Sequence, residues 1–239
     1  MTETIKGSVV LITGATGAIA QALISGLVAR GAAKIYAAAR DVSSLAALPG
    51  LVPVKMDVTS DDEVAKAAAL ATDVTLLINN AGVNRNTAFM LAPDLAFARE
   101  EIEANYLAPL RVTRAFAPAL IKNHGAVLNL LTILARVNLP FMGSYCASKA
   151  AALSLTQGLR GELVPKGVRV VAALPGAVDT RMTAMLTIPK MAPAEAAAEI
   201  LDGFEAGEEE IYVGDMARGL AQGLAHDPKA IERQLASPG

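Results

Sequence analysis

The 239-residue sequence predicts an α/β fold: a doubly wound, mostly parallel, seven-stranded sheet with helices on both faces. Two observations predict it. Short apolar runs alternate along the chain with longer alanine-rich stretches of helical spacing, and the runs are apolar throughout instead of at every second residue. Strands covered on both faces by helices read that way, and repeated strand, helix, strand order implies right-handed crossovers between parallel strands. No linker and no array-type repeat interrupts the pattern, so one domain over residues 1–239 is expected.

The elements follow from local pattern and punctuation. Val9 to Thr13 is a strand ending at Gly14, and helical spacing runs from Ala18 to Arg30, up to Gly31. Lys34 to Ala39 and Leu51 to Met56 are the next strands, the second opened by Pro49-Gly50. A helix from Asp62 to Ala71, a strand from Val74 to Ile78 and a long helix from Leu95 to Lys122 come next. Gly125 introduces the strand Ala126 to Leu131, and the helix Tyr145 to Val164 stops before Pro165. The strand Val168 to Leu174, the helix Pro193 to Ala206 and the strand Glu210 to Val213 complete the alternation. Asp215 to Gly239 reads as one or two closing helices and a frayed end.

Composition excludes several classes of partner. With 21 basic and 23 acidic residues in no long run, the net charge of -2 gives no electrostatic footprint for nucleic acid or an anionic membrane. The single Cys146 forms no internal disulfide, and His124 and His226 are too far apart in sequence to suggest a metal cluster. The apolar residues fall in runs too short to span a bilayer, and Met1 to Ser8 lacks the basic-then-apolar layout of a secretory signal. A cytoplasmic protein acting on small molecules is expected.

An open parallel sheet binds ligands beyond the carboxyl ends of its strands, near the point where strand order reverses. The segments there are Gly14 to Ala20, Arg40, Asp57, Asn79 to Gly82, Thr132 to Ser144 and Pro175 to Thr180. The loop Thr13-Gly14-Ala15-Thr16-Gly17-Ala18-Ile19-Ala20 joins the first strand to the first helix, where backbone N–H groups and the helix dipole form an anion site suited to a diphosphate. Gly14 permits a turn closed to other residues and Gly17 permits close backbone approach. At the end of the second strand an acidic residue would grip a free ribose diol; Arg40 stands there instead and suits a 2′-phosphate, which favours NADP(H), with NAD(H) possible. Asp41, turned inward, would bind the diol, and Arg40 would then be a solvated surface charge.

Ser144-Tyr145-Cys146-Ala147-Ser148-Lys149 opens a helix in which Tyr145 and Lys149, four residues apart, share a face. Bringing a phenol from its ordinary pKa of about 10 to near 7 takes roughly 4 kcal/mol, which the ammonium and an oxidised nicotinamide together would supply. Thr132 follows the fifth strand at the same edge, placed to orient a substrate oxygen.

From Thr13 to Val213 the chain resembles the short-chain dehydrogenase/reductase family. The motifs that carry the likeness are the Thr13-Gly14 loop, Asp57-Val58, Asn79-Asn80-Ala81-Gly82, Asn105, Thr132, Tyr145 with Lys149, and Pro175-Gly176 followed by Thr180. The resemblance implies a Rossmann fold and hydride transfer between a nicotinamide cofactor and a carbonyl or secondary alcohol. It implies that Tyr145 is the acid or base, that Lys149 lowers its pKa and binds the nicotinamide ribose, that Thr132 polarises the carbonyl and that Asn105 holds a proton-relaying water. Asp57 and Val58 would contact the adenine, Asn80, Ala81 and Gly82 would line the adenosine side, and Pro175, Gly176, Val178 and Thr180 would border the nicotinamide. It also implies a homodimer or homotetramer, joined through the helices Leu95 to Lys122 and Tyr145 to Val164.

Three departures stand out. Threonine replaces the usual catalytic serine at position 132, Ala18 and Ala20 replace the second and third loop glycines, and the stretch Arg181 to Ala192 is short for a substrate lid. Leu134, Leu139, Phe141, Met142, Met182, Met185 and Leu186 suggest apolar pocket walls, and Cys146 a packed thiol. An NADPH-dependent carbonyl reductase is the first expectation. An NAD-linked alcohol dehydrogenase, or a nucleotide-sensing protein without catalysis, is the alternative.

Overall fold

The computed structural model describes residues 4–236. Seven strands form one sheet: β1 (Val9–Thr13), β2 (Lys34–Ala39), β3 (Leu51–Lys55), β4 (Leu76–Asn79), β5 (Ala126–Leu130), β6 (Arg169–Pro175) and β7 (Glu210–Val213). Their order is β3-β2-β1-β4-β5-β6-β7 and every pairing is parallel. The sequence pattern led only to a mostly parallel sheet; the observed one has no antiparallel member. The order reverses between β1 and β4, which opens the ligand crevice of a Rossmann fold at their carboxyl ends.

The helices are α1 (Ala18–Ala29), α2 (Asp61–Leu70), α3 (Ala96–Ile102), α4 (Ala108–Lys122), α5 (Gly143–Leu163), α6 (Pro193–Glu205), α7 (Gly214–His226) and α8 (Pro228–Ala236). One face of the sheet packs Ile12, Ile78 and Leu128 against Leu23 and Leu27 of α1 and Ile200 and Phe204 of α6. The other packs Leu11, Leu77 and Val127 against Val64 of α2, Phe116 of α4 and Leu159 of α5. Alternate residues of the inner strands thus enter opposite cores, and this is why β1, β4 and β5 do not alternate polar with apolar, whereas the edge strands β3 and β7 are partly open.

The long helix expected from Leu95 to Lys122 is continuous in direction but not in type. Residues Glu103–Leu107 form a π-helical turn between α3 and α4. Apolar periodicity does not reveal such a turn, because the flanking α-helical segments keep the pattern on both sides. The closing segment resolves into α7 and α8; the expected frayed end, 237–239, lies outside the described residues.

Candidate active site

The glycine loop turns at Gly14, whose φ of +64° belongs to the left-handed region. A Cβ there would sit 2.9 Å from the Ala81 Cα, so β1 and β4 approach too closely for any side chain. Asn80 locks this contact. Its Nδ2 donates to the carbonyls of Thr13 (2.9 Å) and Gly14 (3.2 Å), while the Thr13 hydroxyl accepts from the N–H groups of Asn80 and Ala81, both at 3.0 Å. Gly17 caps α1 without a side-chain hydrogen bond, and the first turn carries no acidic residue. Thr16, Gly17 and Ala18 are exposed; the Gly17 N–H donates to the Gly14 carbonyl at 3.0 Å, and the first-turn N–H groups of α1 that follow it have no intrahelical acceptor and suit an anion. Ile19 packs partly against the core and Ala20 is fully buried in it, so the methyl that replaces a family glycine is accommodated.

At the end of β2, Arg40 is exposed. Asp41 turns its Oδ1 onto the Ser43 N–H at 2.9 Å, a bond within its own turn. The Asp57 carboxylate likewise accepts from Thr59 N (2.9 Å) and Thr59 Oγ1 (2.7 Å). Those bonds, and to a lesser degree the charges of Arg40 and Arg111, hold its pKa below the usual value. Val58, beside it, is half-buried.

Tyr145 and Lys149 lie in the first two turns of α5, both buried. The Lys149 Nζ sits 5.9 Å from the centre of the Tyr145 ring and donates to the Leu130 carbonyl at 2.9 Å. Burial lowers its pKa to about 8. The phenol goes the other way: burial first, then electrostatic interaction with Cys146 and Glu101, raise it above the ordinary tyrosine value. Burial dominates the phenol, and the lowering expected of Lys149 together with an oxidised nicotinamide is not produced by the side chains alone.

Asn105 is buried at the middle of the π-turn, against the 82–83 backbone. Its Oδ1 accepts from Val83 N (2.9 Å), and its Nδ2 donates to Val83 O (2.8 Å) and to Ser148 Oγ (2.9 Å). A Cβ on Gly82 would lie 2.9 Å from that Oδ1 and 3.5 Å from the Lys149 Nζ. Gly82, Asn105, Ser148 and Lys149 therefore meet at one point, next to Tyr145, whose carbonyl accepts from Ser148 Oγ at 2.7 Å.

Thr132 begins a short 3₁₀ turn, accepting from Leu134 N and donating to the Pro175 carbonyl, each at 3.2 Å. The ends of β5 and β6 are tied together in this way. After Pro175, Gly176 packs on Met216, Val178 pairs with Met191, and Thr180 starts a turn held by Thr183. Leu134, Leu139, Met182 and Leu186 gather around Met142, Tyr145 and Cys146 as an apolar cluster. Phe141 and Met185, also expected as pocket walls, are 40% and 58% exposed and stand outside it. Cys146 is a packed thiol, its Sγ accepting from Leu139 N.

Apart from Asn79, which the motif contains, sequence reasoning missed the polar groups behind this front. Asn79 donates to Thr113 Oγ1 and Asn129 Oδ1, and Asn129 donates to Thr156 Oγ1, a buried chain that joins β4, β5, α4 and α5 beneath the site. Glu101, 1% exposed, accepts from Arg85 N and from the Ser144 hydroxyl. Its run Arg99-Glu100-Glu101-Ile102-Glu103 reads as a solvated face. The available signal was spacing, since 101 falls four residues before Asn105 and seven before Ala108.

A family model described as short chain dehydrogenase matches residues 8–190. A crystal structure of a short chain dehydrogenase from Burkholderia cenocepacia in complex with NADP is 47% identical, covers 99% of this chain and 100% of that one, and superposes with a TM-score of 0.96. Among named relatives, a serine 3-dehydrogenase of Agrobacterium fabrum is 33% identical over 191 residues, 74% of this chain and 75% of that protein. A short-chain dehydrogenase of Penicillium ochrochloron is 35% identical over 180 residues; this chain covers 72% of its own length and 66% of that relative's, just under two thirds. With the family pattern matched over residues 8–190, the chain belongs to the short-chain dehydrogenase/reductase family.

Proposed function

We propose that this protein is an NADP(H)-dependent oxidoreductase of the carbonyl reductase type, a single dinucleotide-binding and catalytic unit with Tyr145 as its proton donor. The observation that carries the reading is the buried Tyr145 phenol, held protonated one helical turn from the Lys149 ammonium. A group of that kind gives a proton to an oxygen that has just gained negative charge.

The residues fit a dinucleotide. An uncapped α1 terminus behind a left-handed glycine suits a diphosphate, and exposed Arg40 suits a 2′-phosphate. Asp41 is engaged in its own turn, which weakens the rival claim of NAD(H). The Burkholderia relative crystallised with NADP supports the same choice. Asp57, Val58, Asn80, Ala81 and Gly82 would border the adenosine, and Pro175, Gly176, Val178 and Thr180 the nicotinamide. When bound, the cofactor supplies or accepts the hydride and, oxidised, adds a positive charge beside the phenol.

This chain's own part is orientation and proton transfer. Thr132 turns its hydroxyl from the Pro175 carbonyl to the substrate oxygen and polarises it. Tyr145 donates its proton to that oxygen, and the Lys149 ammonium, fixed by the Leu130 carbonyl, stabilises the phenolate left behind. Asn105, anchored to Val83 and Ser148, holds the backbone along which a relay of water reaches Lys149. Leu134, Leu139, Met142, Met182 and Leu186 exclude bulk water and favour an apolar substrate flank. The free thiol of Cys146 suits a reducing cytoplasm. Exposed small residues on α5, among them Ala147, Ala150 and Gly158, suit close packing of a second copy as a homodimer or homotetramer.

NADPH oxidation over ketones, aldehydes, quinones and β-ketoacyl compounds, repeated with NADH, tests the reading. Tyr145→Phe is expected to lower turnover by about 10² or more while NADPH still binds. Undiminished turnover in that variant overturns the assignment.

A further inference from the structure

Two hydrogen-bonded rungs, one helical turn apart, join the helix of Asn105 to the helix of Tyr145. The upper rung is Asn105 to Ser148; the lower is Ser144 to Glu101. On both helices the step between rungs is four residues, so the rungs stack along one face, and Tyr145 and Lys149 each follow a rung serine by one position. The upper rung belongs to the family pattern through Asn105. The lower one places a buried carboxylate where the reaction described above makes no use of it.

We propose that Glu101 is a positioning residue for Tyr145: its carboxylate fixes the first turn of α5 through Ser144, pins the segment after β4 through Arg85 N, and by its negative charge keeps the phenol protonated for donation. This rests on the reading of Tyr145 as the proton donor.

The surroundings single out Glu101 among the charges nearby. On its own helix Glu100 is paired with the Arg85 guanidinium, and Glu103, in the π-turn, lies 2.9 Å from Arg111. The Arg85 N–H donates to Glu101 at 2.7 Å, while its guanidinium is bonded to Glu100 and feels Glu101 through charge alone. From α5 the groups that interact with Glu101 are Ser144, Tyr145 and Cys146, while Lys149 faces the Tyr145 ring. The carboxylate lies at the N-terminus of α5, where no side chain caps the helix and where the helix dipole favours negative charge. Each of its oxygens holds one donor, so among the described residues it is retained in the interior without an ion pair in contact. A phenol beside it is harder to ionise, and Glu101 is among the groups that raise Tyr145. Lys149 and a bound oxidised nicotinamide act in the opposite sense. The balance sets the pH above which the donor is lost, and Glu101 extends the range of reduction upward.

The test follows tyrosinate absorbance against pH in the NADP⁺-saturated protein, in which the Tyr145 transition is the one absent from Tyr145→Phe. Glu101→Gln keeps the shape and removes the charge; its Tyr145 midpoint is expected to fall by about one pH unit, a tenfold change in proton affinity. Ser144→Ala keeps the carboxylate and removes one donor, so its midpoint is expected to rise, and it decides the matter alone if Glu101→Gln does not fold. Midpoints equal to wild type in the folded variants overturn the inference and leave the NADPH assay, which tests Tyr145 itself, untouched. Full turnover by Tyr145→Phe instead removes the reading on which the inference rests.

Discussion

The Lys149 ammonium stands 5.9 Å from the centre of the Tyr145 ring and is held there by the Leu130 carbonyl, 2.9 Å away. A strand end thus fixes the distance between the two ionisable groups of α5. The arrangement costs stability, because among the described residues the ammonium is buried with one hydrogen bond and no carboxylate in contact.

That cost has a pH signature. In the folded protein Lys149 titrates near 8, against 10.5 for the ordinary side chain. Between those values the unfolded chain binds more protons than the folded one, so this group's contribution makes stability rise with pH across the window. The full penalty, on the order of 3 kcal/mol, applies below pH 8. Lys149→Met removes the titration. Denaturant unfolding of the cofactor-free protein is expected to show wild type gaining on the variant from about pH 8 to about pH 10.5; a constant difference would falsify the buried-ammonium account.

Cofactor choice is expected to rest on Arg40 and not on its neighbour. Charge-assisted bonds to a phosphate contribute about 1.5–3 kcal/mol, so Arg40→Ala should weaken NADPH binding roughly 10- to 100-fold and barely change NADH. Asp41→Ala, which removes the carboxylate's bonds to Ser43, should change neither. Fluorescence titration with both nucleotides distinguishes these outcomes, and an Asp41 variant that loses NADH affinity would show the carboxylate turning inward on binding.

Gly14 and Gly17 differ in kind, although the sequence presents them as one loop. Gly14 combines a φ of +64° with 2.9 Å between a built Cβ and the Ala81 Cα. Gly17 has a φ of -75°, open to any residue, and a built Cβ meets only the Gly14 carbonyl at 3.3 Å. Gly14→Ala is expected to destabilise the apo protein by about 2 kcal/mol through left-handed strain and displacement of Asn80. Gly17→Ala should unfold close to wild type and lose dinucleotide affinity instead. Equal unfolding midpoints for the two variants would contradict this division.

The sheet was legible because its inner strands enter two cores and so carry uninterrupted apolar runs. The edges were less so: β4 begins at Leu76, two residues later than Val74, because the Thr75 hydroxyl and backbone bond to Val9 before the ladder starts. The front of the site was legible for a different reason. Tyr145, Lys149, Asn105 and Thr132 recur at spacings that the fold brings to one edge. The supporting shell was not. Glu101 sits in a charged run whose solvated reading holds for Glu100 and Glu103 but not for it, and only the helical interval to Asn105 separates the three. The π-turn at Glu103–Leu107 was hidden for a related reason, since it changes hydrogen-bond spacing within the helix without changing which residues are apolar. The Tyr145 phenol shows a third limit: its protonation depends on burial, which a motif does not encode.

Thr132 joins structure and chemistry through one hydroxyl. It accepts from Leu134 N, which caps the 3₁₀ turn, and donates to the Pro175 carbonyl, which joins β5 to β6. To polarise a substrate oxygen the hydroxyl proton must leave Pro175, while the bond from Leu134 N can persist. Thr132→Ser keeps both functions and loses a methyl, so activity within a few-fold of wild type is expected. Thr132→Val keeps the shape and loses the hydroxyl. It removes the partner of the Pro175 carbonyl, at a buried contact, and of the partly buried Leu134 N–H, and should destabilise by roughly 1–3 kcal/mol, with a fall in kcat of about 10² on the scale of a lost oxyanion donor. Steady-state kinetics at saturating NADPH separate the effects: a fall in kcat with KM nearly unchanged marks a bond made in the transition state, and loss of stability with kcat retained would confine Thr132 to a structural role.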